Sequence, residues 1–140
     1  MKPLRSRTER LPEAELDLLA ELRRAGEASA ADLRRGIARR RPMAHGSVLT
    51  LLGRLEAKGL VTRRKGESGK AYLYTATARA EQAIRNLVTR WIDRLYARDR
   101  TAFVATLLEE APPSADEIQS LKNVLESHEA SKPKTSRGHS

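Results

Sequence analysis

Apolar positions along the chain fall into blocks with two different periods. Leu16, Leu18, Leu19 and Leu22 recur at helical spacing in a segment that opens near Pro12 and stops at Gly26, which predicts a first helix. Proline is tolerated in a first turn because its missing N–H has no partner there anyway. Glu13 and Glu15 suit the positive end of this helix, Arg23 and Arg24 the negative end. Ser29 followed by Asp32 has the spacing of a capping box. It opens a second helix through Leu33 and Ile37 toward Arg39–Arg41, which Pro42 ends. A third helix is predicted from about Ala44 to Lys58, with Gly59 as its stop. The period then shortens. "LVTRRK" (60–65) and "KAYLYT" (70–75) are rich in β-branched and aromatic residues and read as two strands around the turn "GESG" (66–69).

Beyond residue 76 the helical period returns. A long helix over 78–97 carries Ile84, Leu87, Val88, Trp91, Ile92 and Leu95. A shorter one over about 101–110 carries Phe103, Val104, Leu107 and Leu108. Pro112 and Pro113 interrupt the chain; Ser114, with Glu117 three residues on, opens a last helix carrying Ile118, Leu121 and Leu125. The expected fold class is mainly α. A flexible arm (1–10) precedes a winged helix-turn-helix of three helices and a β-hairpin wing (11–77). A helical dimerisation module (78–129) and a disordered basic tail (130–140) follow.

Charge sharpens this division. The 140 residues carry a formal net charge of +9, and proteins this basic usually meet a polyanion. Residues 1–75 hold 17 Lys/Arg against 9 Asp/Glu, whereas residues 76–129 hold 7 against 9. The polyanion-binding part is therefore the N-terminal one, and the next segment does something else. The sequence has no Cys, and His45, His128 and His139 show no ligand spacing. Thiolate metal sites, disulfides and cysteine nucleophiles drop out. With no phosphate loop or recognisable triad either, no enzyme and no cofactor are expected. No apolar run reaches membrane-span length and the N-terminus does not read as a signal peptide, so the expected location is cytoplasmic, with no membrane partner.

The third helix carries the sharpest signal. At 100° per residue Val48, Leu51, Leu52 and Leu55 share one arc of about 100°, a core-facing stripe. The opposite side holds Gly46, Thr50, Gly53 and Ala57, flanked by Ser47 and Arg54, where an ordinary surface helix carries Glu and Lys. Small residues let a helix sink into the major groove of DNA, where hydroxyls bond bases or phosphates and Arg reads guanine. Mid-helix Gly costs roughly 1 kcal/mol against Ala, so Gly46 and Gly53 need a reason, and close approach to DNA supplies one. Arg63, Arg64 and Lys65 lead into the wing turn and Lys70 leads out, placed to position the protein on phosphates without reading sequence. Tyr72 and Tyr74 share a strand face and are expected to pack against the helices. His45 stands beside the start of the reading helix, either as a DNA contact or as an incidental first-turn residue.

The stretches "SVLTLLGRLEAKGLVTRR" (47–64) and "GKAYLYTAT" (69–77) resemble the penicillinase-repressor (BlaI/MecI) family, which also contains copper-responsive repressors. "LPEAELDLLAELRRAGEASAADL" (11–33) and "FVATLLEEAPPSADEIQSLKNVL" (103–125) support the resemblance. It implies an N-terminal winged helix on an inverted-repeat operator in double-stranded DNA and a C-terminal helical module that forms a homodimer. It also implies DNA contacts at the hydroxyl positions matched here by Ser47 and Thr50. Three departures stand out. Leu22 occupies a position where the family often has Trp. The Cys pairs of copper-responsive members are missing. The Asn-Phe bond cut by an inducing protease in β-lactam-responsive members aligns with Thr106-Leu107, so cleavage at that bond does not carry over, while an inducing protease stays among the partners the resemblance implies.

Three helices in so short a second segment cannot bury their large side chains within one subunit. Val88, Trp91, Ile92, Leu95, Phe103, Val104, Leu107, Leu108, Ile118, Leu121 and Leu125 are therefore the expected dimer surface, and a two-fold pair is the commonest closed solution. Two other readings stand beside the repressor. One is a ligand-sensing regulator with an effector between the C-terminal helices; the other is a winged helix that binds protein.

Overall fold

A computed structural model describes residues 11–67 and 71–131. Among these residues it has six helices and three strands. In chain order they are α1 (Glu13–Ala25), β1 (Glu27–Ala28), α2 (Ala30–Ile37), α3 (His45–Ala57), β2 (Val61–Lys65), β3 (Tyr72–Ala76), α4 (Ala78–Tyr96), α5 (Arg100–Glu110) and α6 (Ala115–Ser131). The expected arm (1–10), Lys70 and part of the wing turn lie outside the described residues, as does most of the expected tail. α6 itself continues through Ser131, past Ala130 where composition placed the start of that tail.

Local signals set most element ends. Pro12 stands at the N-cap of α1, and Gly26 leaves it at φ +86°, its N–H bonded to the Leu22 carbonyl. Ser29 Oγ accepts from the Asp32 N–H at 3.1 Å while Asp32 accepts from the Ser29 N–H, completing the capping box of α2. α3 ends in a Schellman motif: the Leu60 N–H reaches the Leu55 carbonyl and the Gly59 N–H the Glu56 carbonyl, both at 2.9 Å, with Gly59 at φ +78°. α2 stops at Ile37, short of the expected Arg39–Arg41. Pro42 bars the helical conformation at Arg41, and the chain leaves through a turn in which the Arg40 and Arg41 N–H groups both bond the Ile37 carbonyl.

The sheet has one strand more than the sequence predicts. The two-residue β1 pairs with β3, giving the antiparallel order β1-β3-β2. The hairpin register sets Arg63 opposite Tyr74, Arg64 opposite Leu73 and Lys65 opposite Tyr72. Leu18, Leu19, Leu22, Leu33, Val48, Leu52, Leu55 and Leu60 form the buried centre, with Tyr74 and Ala80 closing it.

Polar ties hold α3 at a fixed angle in this frame. Glu15, almost fully buried on α1, pairs with Lys58 just past the end of α3 at 2.5 Å. Thr77 Oγ1 donates to the Gly59 carbonyl at 2.8 Å and accepts from the Ala80 N–H at 3.2 Å, joining the end of α3 to the start of α4. Arg23 on α1 forms a two-pronged pair with Glu81 on α4 at 2.7 and 2.8 Å.

The chain divides into two compact units between Trp91 and Ile92, within α4. In the second, Ala97 and Arg98 take positive φ to turn the chain. Asp99 caps α5 through the Ala102 N–H at 2.9 Å, and the Tyr96 and Phe103 rings meet edge to face at 5.5 Å. Ser114 caps α6 through the Glu117 N–H. No described residue of α5 or α6 is buried.

Candidate nucleic-acid interface

α3 turns Val48, Leu51, Leu52 and Leu55 into the core and leaves His45, Gly46, Ser47, Thr50, Gly53, Arg54 and Ala57 on its outer side. A Cβ built on Gly46 or on Gly53 would meet nothing within 4 Å, so packing does not require glycine at either position. Thr50 Oγ1 donates to the Gly46 carbonyl at 3.1 Å. With its proton so placed, the hydroxyl faces outward as an acceptor only. Arg54 makes no ion pair and no side-chain hydrogen bond with any other described residue, leaving its guanidinium available to a partner. The first turn has no side-chain cap and no acidic residue, so the positive helix end is unopposed. Sequence reasoning misses one residue of this face. Leu49, 44% exposed, lies between Gly53 and the wing side, and the small residues spread around it hide it in the pattern.

The wing is more constrained than its composition implies. Arg63 pairs with Glu56 of α3 at 3.2 Å and lies 4.2 Å over the Tyr72 ring. A hydrogen bond to Tyr74, reinforced by Glu56, raises its pKa. Arg64, on the other sheet face, forms a two-pronged bond with Glu27 of β1 at 2.9 and 3.1 Å. That bond raises the pKa of Arg64 and lowers that of Glu27. Lys65 stands 5.7 Å from the Tyr72 ring. Tyr74 is buried, as expected, but Tyr72 is not a core residue; it is exposed beneath these two cations. Each arginine thus has an acid partner from another element, which single-segment reading cannot see.

Of the expected dimer residues, Val88, Trp91, Leu95, Val104, Leu107, Ile118, Leu121 and Leu125 are exposed, and Val124 joins them. Ile92, Phe103 and Leu108 are half-buried. Thr106-Leu107 lies inside α5, with Thr106 Oγ1 bonded to the Ala102 carbonyl. Among the described residues no acidic or histidine cluster could hold a metal ion, and no helix is long and apolar enough to cross a membrane.

The sequence profile of the family described as penicillinase repressor matches residues 11–127. No curated protein matches the chain. Several solved structures share its fold. A single-site mutant of MarR from E. coli, solved with operator DNA, is 19% identical, with 81% of this chain and 72% of that chain covered at a TM-score of 0.51. A MarR family transcriptional regulator from Silicibacter pomeroyi is 22% identical, with 89% and 74% covered at 0.50. The transcriptional regulator PA4135 is 19% identical, with 88% and 80% covered at 0.52. The winged-helix fold expected from the sequence is the one these regulators share.

Proposed function

This chain belongs to the penicillinase repressor family, and we propose that two copies act together on an inverted-repeat DNA operator. Family and fold are those of a DNA-binding transcriptional repressor, and of no enzyme class. The observation that carries the finer reading is the solvent face of α3. It is free of acid in its first turn, and its two glycines leave open space where side chains would hold a duplex away. Ser47, Thr50 and Arg54 are assigned to base edges, with His45 and the first N–H groups of α3 beside a phosphate. Arg63, Arg64, Lys65 and Lys70 are assigned to the backbone. A protein of the same fold, E. coli MarR, has been solved in complex with operator DNA, which supports DNA as the partner.

Pairing rests on a second observation. Nine large apolar side chains between Val88 and Leu125 stand exposed, more than an isolated soluble chain keeps on one segment. A second copy covers them and sets the two reading helices on successive major grooves. Repression then follows from occupancy of the operator, in the cytoplasm. The test begins with sequences the protein selects from random duplex DNA. Footprinting should show two protected half-sites about one helical turn, or a multiple of it, apart, with two subunits per duplex. Equal affinity for all sequences, or one subunit on one half-site at saturation, would overturn the reading.

A further inference from the structure

Leu49 is the one large apolar side chain that α3 exposes. A lone exposed leucine is ordinary on a protein surface; this one stands on the face that the proposed function turns toward DNA. Leu49 precedes Glu56 by two helical turns, and Glu56 holds Arg63 of β2, so Leu49 lies on the wing side of that face. Gly53, one turn on, has no side chain to stand beside it, and a Cβ built there would meet nothing within 4 Å. On the far side stands Arg54. Thr50, between them, spends its one donor on the Gly46 carbonyl.

Beside the donors Ser47 and Arg54, the face therefore carries one apolar reader. In the major groove only one base edge offers an apolar group, the 5-methyl of thymine. An apolar side chain set against guanine, adenine or cytosine would bury their polar edges without a partner. We infer that Leu49 is a specificity-determining residue that reads thymine by its 5-methyl group in each half-site, with Arg54 reading guanine across the small-residue strip. The inference rests on α3 being the element that enters the groove.

The experiment replaces each thymine of the selected half-sites by deoxyuridine, one position at a time, which removes the methyl and nothing else. Wild-type protein and the Leu49→Ala and Leu49→Met variants are titrated against each duplex. The side chain is exposed, so folding should survive, and melting curves check it. At one thymine per half-site, uracil should weaken wild-type binding about fourfold, the size expected for one methyl removed from contact. Leu49→Ala should bind the thymine duplex correspondingly less tightly and no longer distinguish uracil there. Leu49→Met should keep most of the distinction. Wild-type protein indifferent to uracil at every position would overturn the role of Leu49, as would a folded Leu49→Ala that keeps the wild-type response. Failure to enrich any sequence would instead overturn the reading of α3 on which this inference depends, and the inference with it.

Discussion

Glu56, near the end of α3, holds the guanidinium of Arg63 on the first wing strand at 3.2 Å. The helix assigned to bases and the hairpin assigned to phosphates are thereby joined through one ion pair, and Tyr72 lies under the same guanidinium. Arg64 is held to Glu27 in the same manner on the opposite sheet face. The wing arginines are thus fixed in direction, but each carries a carboxylate that a phosphate must share or displace.

Glu56→Gln should release Arg63 while keeping a side chain of the same length. Binding to random duplex DNA should tighten several-fold, and the slope of log affinity against log salt should steepen by up to about one unit. Arg63→Ala should do the reverse. Stability should change little, because exposed ion pairs contribute little. Fluorescence anisotropy over a salt series measures both slopes. An identical slope in wild type and Glu56→Gln would mean that Arg63 does not reach a phosphate.

Acid should weaken the fold by a small amount in a predictable window, since both pairs involved are partly exposed to solvent. The hydrogen bond from Arg64 holds Glu27 below the ordinary carboxylate value of about 4.5, and Arg23 does the same to Glu81. A carboxylate whose folded pKa is depressed stabilises the fold above its unfolded pKa, and that contribution is lost as pH falls through the folded value. Melting temperature should therefore fall as pH drops below about 4.5. The fall should be shallower in Glu27→Gln combined with Glu81→Gln, which has nothing left to lose at those sites. Parallel melting curves for the two proteins across the acid range would refute the assignment.

Most of the fold is legible in the sequence because its signals are local. The capping box at Ser29 and Asp32, the stop at Gly59 and the alternation through Tyr72 and Tyr74 lie within a few residues of what they determine. β1 is not legible: a two-residue strand has no period, and it exists only because β3 offers Thr75 and Tyr74 as partners. The early end of α2 turns on one steric restriction at Arg41, set against a run of good helix formers. At the interface, composition identifies the small-residue face of α3 but not the acids restraining the wing. Glu27 and Arg64 are 37 residues apart, and only the folded sheet brings them together. Glu15 reads in sequence as a helix-dipole residue; its burial against Lys58 depends on the packing of α1 on α3.

That buried pair gives a stability test. Lys58→Met removes the cation and leaves the Glu15 carboxylate, 2% exposed, without its main partner. The expected cost is about 3 kcal/mol, read from urea denaturation. Adding Glu15→Gln should restore a large part of it, because the remaining group is then neutral. A loss below about 1 kcal/mol in the single variant, within the range of exposed pairs, would show that the pair is solvated in solution.

Assembly is tested at Leu95 and Leu107, 70% and 53% exposed. Sedimentation should give twice the 15.6 kDa chain mass at micromolar concentration. Leu95→Asp with Leu107→Asp should give one chain mass, because a charge buried without a partner is costly. The winged helix itself should keep its fold. A wild-type monomer, or a double variant that still pairs, would remove these residues from the dimer surface.

Gly53 separates folding from recognition most cleanly. Gly in a helix interior is about 0.5–1 kcal/mol less favourable than Ala, and an added Cβ here meets nothing within 4 Å. Gly53→Ala should therefore raise stability by about that amount, since no packing loss offsets the helix gain. Gly53→Glu should fold as well as wild type, because the site is open, yet lose operator binding. The longer side chain holds α3 off the groove and its charge faces phosphate. Gly53→Gln, which keeps the bulk without the charge, should bind operator weakly but better than Glu. Thermal melting beside an operator mobility shift measures the three variants together. If Gly53→Glu folds and still binds operator with wild-type affinity, this face of α3 does not meet DNA, and the wing becomes the surface to test next.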